Sequence, residues 1–301
     1  MISLVTACMN REAHLRRSLP EWLKLPGIGE FVLVDWSTSE PFDDLISLDP
    51  RIRIVRAVGE PKWILAYAYN LGISRAKNDL VLKCDADCLP DARILDAAPA
   101  SGRFFAGDWR TGHTIGKTCA NGQCFFTRTQ WEQVNGYSEL IRRYGHDDED
   151  FYDRLKAAGH ERAEIVPNLL EFLRHSDEDR VSNTTRPPPD NSVEAFLARQ
   201  LHYHEAINRL IAAMMPWGRW FSRARFDEVS VSNRLEVVRR DIAGEIPLSP
   251  PLQQLARTQA IRVITSRLCK VPPQLMARMD EAACLAQLAR IAKSATLTEA
   301  A

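Results

Sequence analysis

Residues 80–90 read LVLKCDADCLP. An apolar, β-rich run ends abruptly in two aspartates, Asp85 and Asp87, on either side of Ala86. A run of this kind reads as a buried strand closed by a tight turn, and its two carboxylates project in nearly the same direction. Hard oxygen ligands so arranged suit magnesium or manganese. A divalent ion there neutralises the charge of a departing diphosphate. The plainer alternative is a polar turn with solvated aspartates, but its place directly after an apolar strand favours a site.

The same pattern repeats upstream. ISLVTA (2–7) is a first strand, and Asn10-Arg11-Glu12 open a helix carrying Leu15, Leu19, Trp22 and Leu23 at helical spacing, ended by Pro26-Gly27. Phe31–Val34 is a second strand stopped by Asp35, Ile52–Val55 a third, and residues 63–76 a helix before the strand at 80–84. Alternating strands and helices indicate a parallel sheet in an α/β domain. Polar residues cluster after the strand ends, at Thr6 to Arg11, Asp35 to Thr38 and Asp85 to Asp87. The carboxyl ends of an open α/β sheet form its binding crevice.

Beyond residue 100 the texture changes to α+β. Strand-like pieces fall at 103–107 and 122–127, a helix starts at Thr129-Gln130-Trp131, and residues 148–158 form a helix stopped by Gly159. Asp147-Asp148-Glu149-Asp150 open that helix. Acidic residues suit a helix first turn, yet four exceed what capping needs. Crowded like charges raise one another's pKa, which suits a base near neutral pH. Short strands at 163–166 and 169–173 lead to His175. A lone histidine is more often structural than a ligand, but beside a carboxylate turn an imidazole favours manganese over magnesium.

Residues 176–192 (SDEDRVSNTTRPPPDNS) read as a linker or surface loop. The chain then turns helical, with helices over 192–215 and near 228–243, 251–268 and 273–295. The expected organisation is a catalytic domain over 1–185 and an all-α extension over 190–301 that docks a partner enzyme or forms a dimer. PWGRWFSRARF (216–226) mixes aromatics with arginines. That composition suits a membrane surface or an anionic lipid-linked acceptor, or, more plainly, a helix–helix joint.

With 39 basic and 39 acidic residues the formal net charge is zero, which argues against nucleic acid as a partner. The first residues lack the basic and long apolar regions of a secretory signal, so a cytoplasmic chain is expected, with the inner membrane face as a peripheral site. Seven cysteines then read as reduced thiols. The spacings of Cys84/Cys88 and Cys119/Cys124 are looser than those of usual zinc pairs.

Taken in order, these segments resemble nucleotide-diphospho-sugar glycosyltransferases of the GT-A fold. SLVTACMNRE, VLVDWSTSE, AYAYNLGI and VLKCDADCLP look like the large family 2 group. NGQCFFTRTQWEQVNGYSE, GHDDEDFYDRL and FLRHSDED look like galactosyltransferase-type enzymes, including animal β-1,4-galactosyltransferases and bacterial chondroitin-type polymerases. The likeness covers about residues 1–180. It implies that Thr6, Asn10 and Arg11 lie along the nucleotide, that Asp35 contacts the base, and that Asn70 supports the donor pocket. It implies Asp85 beside the ribose, Asp87 and His175 on manganese or magnesium, Gln123 beside the donor sugar or bound to the acceptor, Asp147 on the acceptor, and Asp148 as catalytic base. The chain departs from the pattern at Trp36, Tyr69, His146 and Phe172, where the resembled enzymes often carry aspartate, arginine, glycine and methionine.

The implied reaction is a single inverting displacement from a UDP-sugar, with galactose or an N-acetylhexosamine favoured, onto a glycan or lipid-linked hydroxyl. Two other classes compete. A nucleotidyltransferase of sugar phosphates usually has a glycine-rich N-terminal loop, and MISLVTACMNRE has no glycine. A non-catalytic nucleotide-sugar or glycan-binding module would not need Asp87, Asp148 and His175 together.

Overall fold

Strand β1 (Ile2–Cys8) is buried along its whole length, as expected of a strand covered on both faces. It pairs in parallel with β2 (Ile28–Trp36) and β4 (Leu80–Lys83), and β2 pairs in parallel with β3 (Ile52–Ala57). Helices α1 (Glu12–Trp22) and α2 (Leu65–Arg75) lie in the crossovers that parallel pairing requires. Because successive strand residues face opposite sides, β1 and β2 feed two cores. Leu4 and Leu33 join Leu15, Leu19 and Trp22 of α1. Val5 and Val34 join Tyr67, Leu71 and Ile73 of α2. The computed structural model describes residues 1–96, 99, 102–114, 116–173, 190 and 192–299.

The middle of the chain adds β5 (Cys88–Pro90), β6 (Arg103–Ala106), α3 (Trp109–Thr114), β7 (Cys124–Thr127), α4 (Arg128–Gln133), α5 (Asp147–Ala157), β8 (Glu161–Glu164) and β9 (Leu170–Phe172). β7 runs antiparallel between β4 and β6, and β8 lies parallel to β6 at the sheet edge. α4 begins with a reciprocal cap: Thr127 accepts from the Gln130 N–H, and the Gln130 side chain accepts from the Thr127 N–H. β5 and β9 form a separate antiparallel pair that places Cys88 opposite Phe172.

The helix expected near 228–243 is corrected to a hairpin, β10 (Phe226–Ser232) and β11 (Leu235–Arg240). β11 pairs in parallel with β3, giving a nine-stranded sheet in the order β10-β11-β3-β2-β1-β4-β7-β6-β8. In sequence terms, Val229 and Val231 alternate with polar residues at period two, and Asn233 takes φ 53° in the two-residue turn. Arg75–Glu236 at 2.8 Å and Arg240–Glu60 at 2.7 Å fasten the hairpin down. Tertiary pairing thus overrides a pattern that also fits a helix.

The chain divides into two compact units, and not simply at residues 185–190. The first comprises Met1–Glu139, Asp147–Arg174 and Trp217–Glu245; the second comprises Leu140–His146, His175–Pro216 and Ile246–Ala301. Residues 217–245 therefore belong with the sheet, and the extension over 190–301 is not all-α. Within the first unit, Trp217 is buried, stacks on Phe221 at 5.0 Å and donates to the Asn135 carbonyl. Trp220 is 75% exposed.

The second unit is helical where the periodicity predicts it: α6 (Val193–Ala198), α7 (Leu201–Met214), α8 (Pro250–Cys269), α9 (Pro273–Met276) and α10 (Glu281–Glu299). Asn208 of α7 donates to the carbonyls of Arg143, Tyr144 and Gly145, fixing the loop that enters this unit. Among the described residues, no helix is long and apolar enough to cross a membrane.

Gly72 explains the Asn-x-Gly of α2. A Cβ there would stand 2.7 Å from Val34 Cγ2 and 2.8 Å from Val5 Cγ1, so the helix lies directly on the sheet. Gly72→Val should lower unfolding free energy by about 1–3 kcal/mol through overpacking, measured by urea denaturation.

Candidate active site

The turn after β4 is organised by a residue the sequence reading passed over. Lys83 is completely buried. Its ammonium donates to Asp85 Oδ1 at 3.0 Å, to Asp148 Oδ1 at 3.2 Å and to the Gly122 carbonyl at 2.5 Å. Those three contacts use all three of its N–H donors. The Tyr69 ring lies 4.5 Å from the same nitrogen, within cation–π range. Burial works against the lysine charge, but Asp148 and Asp85 outweigh it and hold the pKa well above the ordinary value.

Asp85 is held from several sides. Tyr69 Oη donates to its Oδ1 at 2.9 Å, and Gln123 Nε2 donates to Oδ2 at 3.0 Å. The Asp85 N–H in turn donates to Gln123 Oε1 at 3.0 Å. Gln123, expected beside the donor sugar or the acceptor, is thus buried and paired with Asp85. Gly122 leaves room for this: a Cβ there would come within 2.1 Å of Asp85 Oδ2.

Asp148, in the first turn of α5, also meets Tyr137 Oη at 3.3 Å. Burial raises its pKa most, Asp85 and Glu149 push the same way, and Lys83 pulls it back. Asp147 is half-buried and accepts the Asp148 N–H at 3.0 Å. Burial and the neighbouring Asp148 push its pKa up to about 7. Burial also raises the Tyr69 and Tyr137 phenols, so both remain protonated donors. His146, which stands in place of a glycine in the resembled enzymes, has φ 67° just before this turn. That left-handed backbone explains why glycine suits the position.

Asp87 is buried, and its carbonyl accepts the Leu173 N–H at 2.8 Å. The β5–β9 pair therefore brings the chain to the acidic turn two residues before position 175. His175 itself lies outside the described residues. Among the described residues, no group of three or more His, Cys, Asp or Glu is arranged to hold a metal. Asp87 nevertheless offers the hard carboxylate oxygen a divalent cation needs, whereas both Asp85 oxygens are engaged by protein groups.

The residues expected along the nucleotide form a neighbouring group at the ends of β1 and β2. Asn10 has φ 54°, and its Oδ1 accepts from the N–H and hydroxyl of Ser39, tying the two loops together. Arg11 is the half-buried N-cap residue of α1. Thr6 is buried, and among the described residues its hydroxyl has no hydrogen-bond partner. Asp35 is fully buried, with one oxygen on Arg56 at 2.8 Å and the other on the Thr38 N–H at 2.8 Å. Its carboxylate is thus engaged by the protein.

Asn70 is set apart from the carboxylates. Its Nδ2 donates to the Tyr137 carbonyl and Glu139, and its Oδ1 accepts from the Tyr137 N–H and Trp131 Nε1. It holds the loop that carries Tyr137. A further cavity of about 670 Å³ is lined by Asn70, Arg75, Glu139, Arg223 and Phe226, among others, and none of the site aspartates lines it.

Sequence reasoning missed Lys83, Tyr69, Tyr137 and Gly122 as site residues. A charged residue inside LVLKC was the available signal. A lysine in a buried strand requires acidic partners.

Residues 111–179 match the family described as the N-terminal domain of galactosyltransferase. No curated protein matches the sequence. Among solved structures, a mutant Drosophila β-1,4-galactosyltransferase 7 in complex with manganese, UDP-Gal and xylobiose is similar at a TM-score of 0.50 and 14% identity, covering 85% of this chain and 98% of that one. A mannosyltransferase from Pyrobaculum calidifontis in complex with GDP-Man and Mn2+ is similar at a TM-score of 0.50 and 14% identity, covering 99% of this chain and 79% of that one. The fold is GT-A. In GT-A terms, the Asp85–Asp87 turn follows a central strand of the sheet, with α5 bringing Asp148 to it.

Gly122→Ala tests the packing of the turn. It should destabilise the wild type by about 1–3 kcal/mol by displacing Asp85 from its partners. In an Asp85→Ala background the clash is gone, so the same change should cost much less, a non-additivity that thermal unfolding of the four proteins measures.

Proposed function

We propose that this chain is a metal-dependent glycosyltransferase that moves a sugar from a nucleoside-diphosphate donor to a hydroxyl of a glycan acceptor, with inversion. The observation that carries this reading is the convergence of Asp148 on the acidic turn through buried Lys83. The family match over 111–179 and the GT-A fold support it. Donor, metal and glycan in the similar structures make a nucleotide sugar, manganese and a saccharide the ligands to test first.

Asp87 and His175 are the residues proposed to hold manganese, or magnesium in its place. Held there, a divalent cation would supply positive charge to offset that of a leaving nucleoside diphosphate. Asp148 takes the proton from the attacking hydroxyl, for which it must be ionised. Among the described residues its Oδ2 makes no hydrogen bond, while Oδ1 is held by Lys83 and Tyr137. Asp147 is proposed to orient the acceptor. Thr6, Asn10 and Arg11 are proposed to line the nucleotide.

The deciding experiment is a screen of UDP- and GDP-sugars with saccharide acceptors, with and without manganese, reading nucleoside diphosphate release. A metal-dependent signal with one donor is expected; none with any donor sinks the proposal. Asp148→Asn should keep donor affinity within a few-fold and lower transfer by about 100-fold or more. Asp87→Ala should abolish the manganese dependence of donor binding, read by calorimetry with and without the metal.

A further inference from the structure

We infer that Lys83 is a positioning residue of the transfer reaction, holding Asp148 ionised and aimed while tying it to the donor-side turn through Asp85. This rests on the transferase reading above.

The geometry is specific. Two elements distant in sequence, the turn after β4 and the start of α5, meet on one nitrogen, with Asp85 at 3.0 Å and Asp148 at 3.2 Å. The third N–H is taken by the Gly122 carbonyl, and the Tyr69 ring packs against the same ammonium. With no donor left over and no exposure, the lysine cannot swing away to solvent. Asp148 Oδ1 is consequently fixed between Lys83 and Tyr137, and Oδ2 is the oxygen left for an incoming hydroxyl.

A carboxylate in such a site is hard to keep charged. Burial, Asp85 from the turn and Glu149 on α5 disfavour the charge of Asp148, and Asp147 adjoins it on α5. The Tyr137 hydroxyl donates to it from the preceding loop, and the neutral Cys124 thiol and Tyr152 phenol face it from β7 and α5. None of these supplies positive charge. Among the groups facing Asp148, Lys83 is the cation at hydrogen-bond distance. Removing its charge should therefore make the base harder to ionise, and activity should need a higher pH.

The test compares wild type, Lys83→Met and Lys83→Gln with the donor and acceptor found in the screen. Both variants are first checked for folding by circular dichroism. A folded variant should show kcat lowered by about 100-fold or more, donor KM changed only a few-fold, and the acidic limb of the kcat profile moved up by about one pH unit or more. A purely structural role would lower the amount of active enzyme without moving that limb.

A folded variant with kcat within about threefold of wild type, or with an unmoved limb, overturns the inference and leaves the transferase reading intact. Failure of both variants to fold also overturns it, in favour of a structural role. Wild type inactive with every donor overturns the reading itself, and that arm shows it independently of Lys83.

Discussion

One buried ammonium links the two acidic segments of this protein. Asp85 and Asp148 repel each other, and each loses hydration on burial. Without Lys83 the turn after β4 and the first turn of α5 would lose the cation they share. Removing one partner of a buried ion pair typically costs about 3–5 kcal/mol because the other charge is stranded. Here the buried pair is Lys83 with Asp148, while Asp85 on the same ammonium is partly exposed. Tyr69 and Gln123 complete the bonding of Asp85, and Tyr137 shares Asp148 Oδ1 with the lysine, which leaves Oδ2 open.

The sheet places this network. Lys83 ends β4, which lies between parallel β1 and antiparallel β7. The register sets Lys83 opposite Cys124, so Gly122 and Gln123 arrive beside Asp85. The Tyr137 loop is held in turn by Asn70 of α2, which can lie low on β1 and β2 because residue 72 has no side chain. The glycine and asparagine of α2 therefore act on the acidic cluster without joining it.

Much of this was legible in the sequence. The strands at 2–7, 31–34, 52–55 and 80–84 and the helix at 63–76 all appear with small shifts of boundary. They were readable because period and length there agree with turn chemistry. The hairpin at 226–240 was not readable in the same way. Its strands alternate only weakly, and its pairing with β3 is a distant contact that local propensity does not encode. At the site, the aspartates declared themselves by position. The lysine did not, because its meaning depends on which residues the fold brings to it. Asp35 illustrates the converse: an acidic stop after a strand was visible, but its engagement by Arg56 came only with the fold.

The late hairpin has a consequence for how the protein is made. Arg240 and Glu60, which pin β11 near β3, are 180 positions apart. At synthesis rates of about 5–20 residues per second, the edge of β3 waits on the order of ten seconds or longer for its neighbour. Throughout that interval the nascent chain presents an unpaired edge of a largely apolar parallel sheet, the kind of surface that invites pairing with another chain. Strand β3 thus emerges well before the neighbour that closes its edge, so productive folding depends on keeping that edge covered until β11 is made.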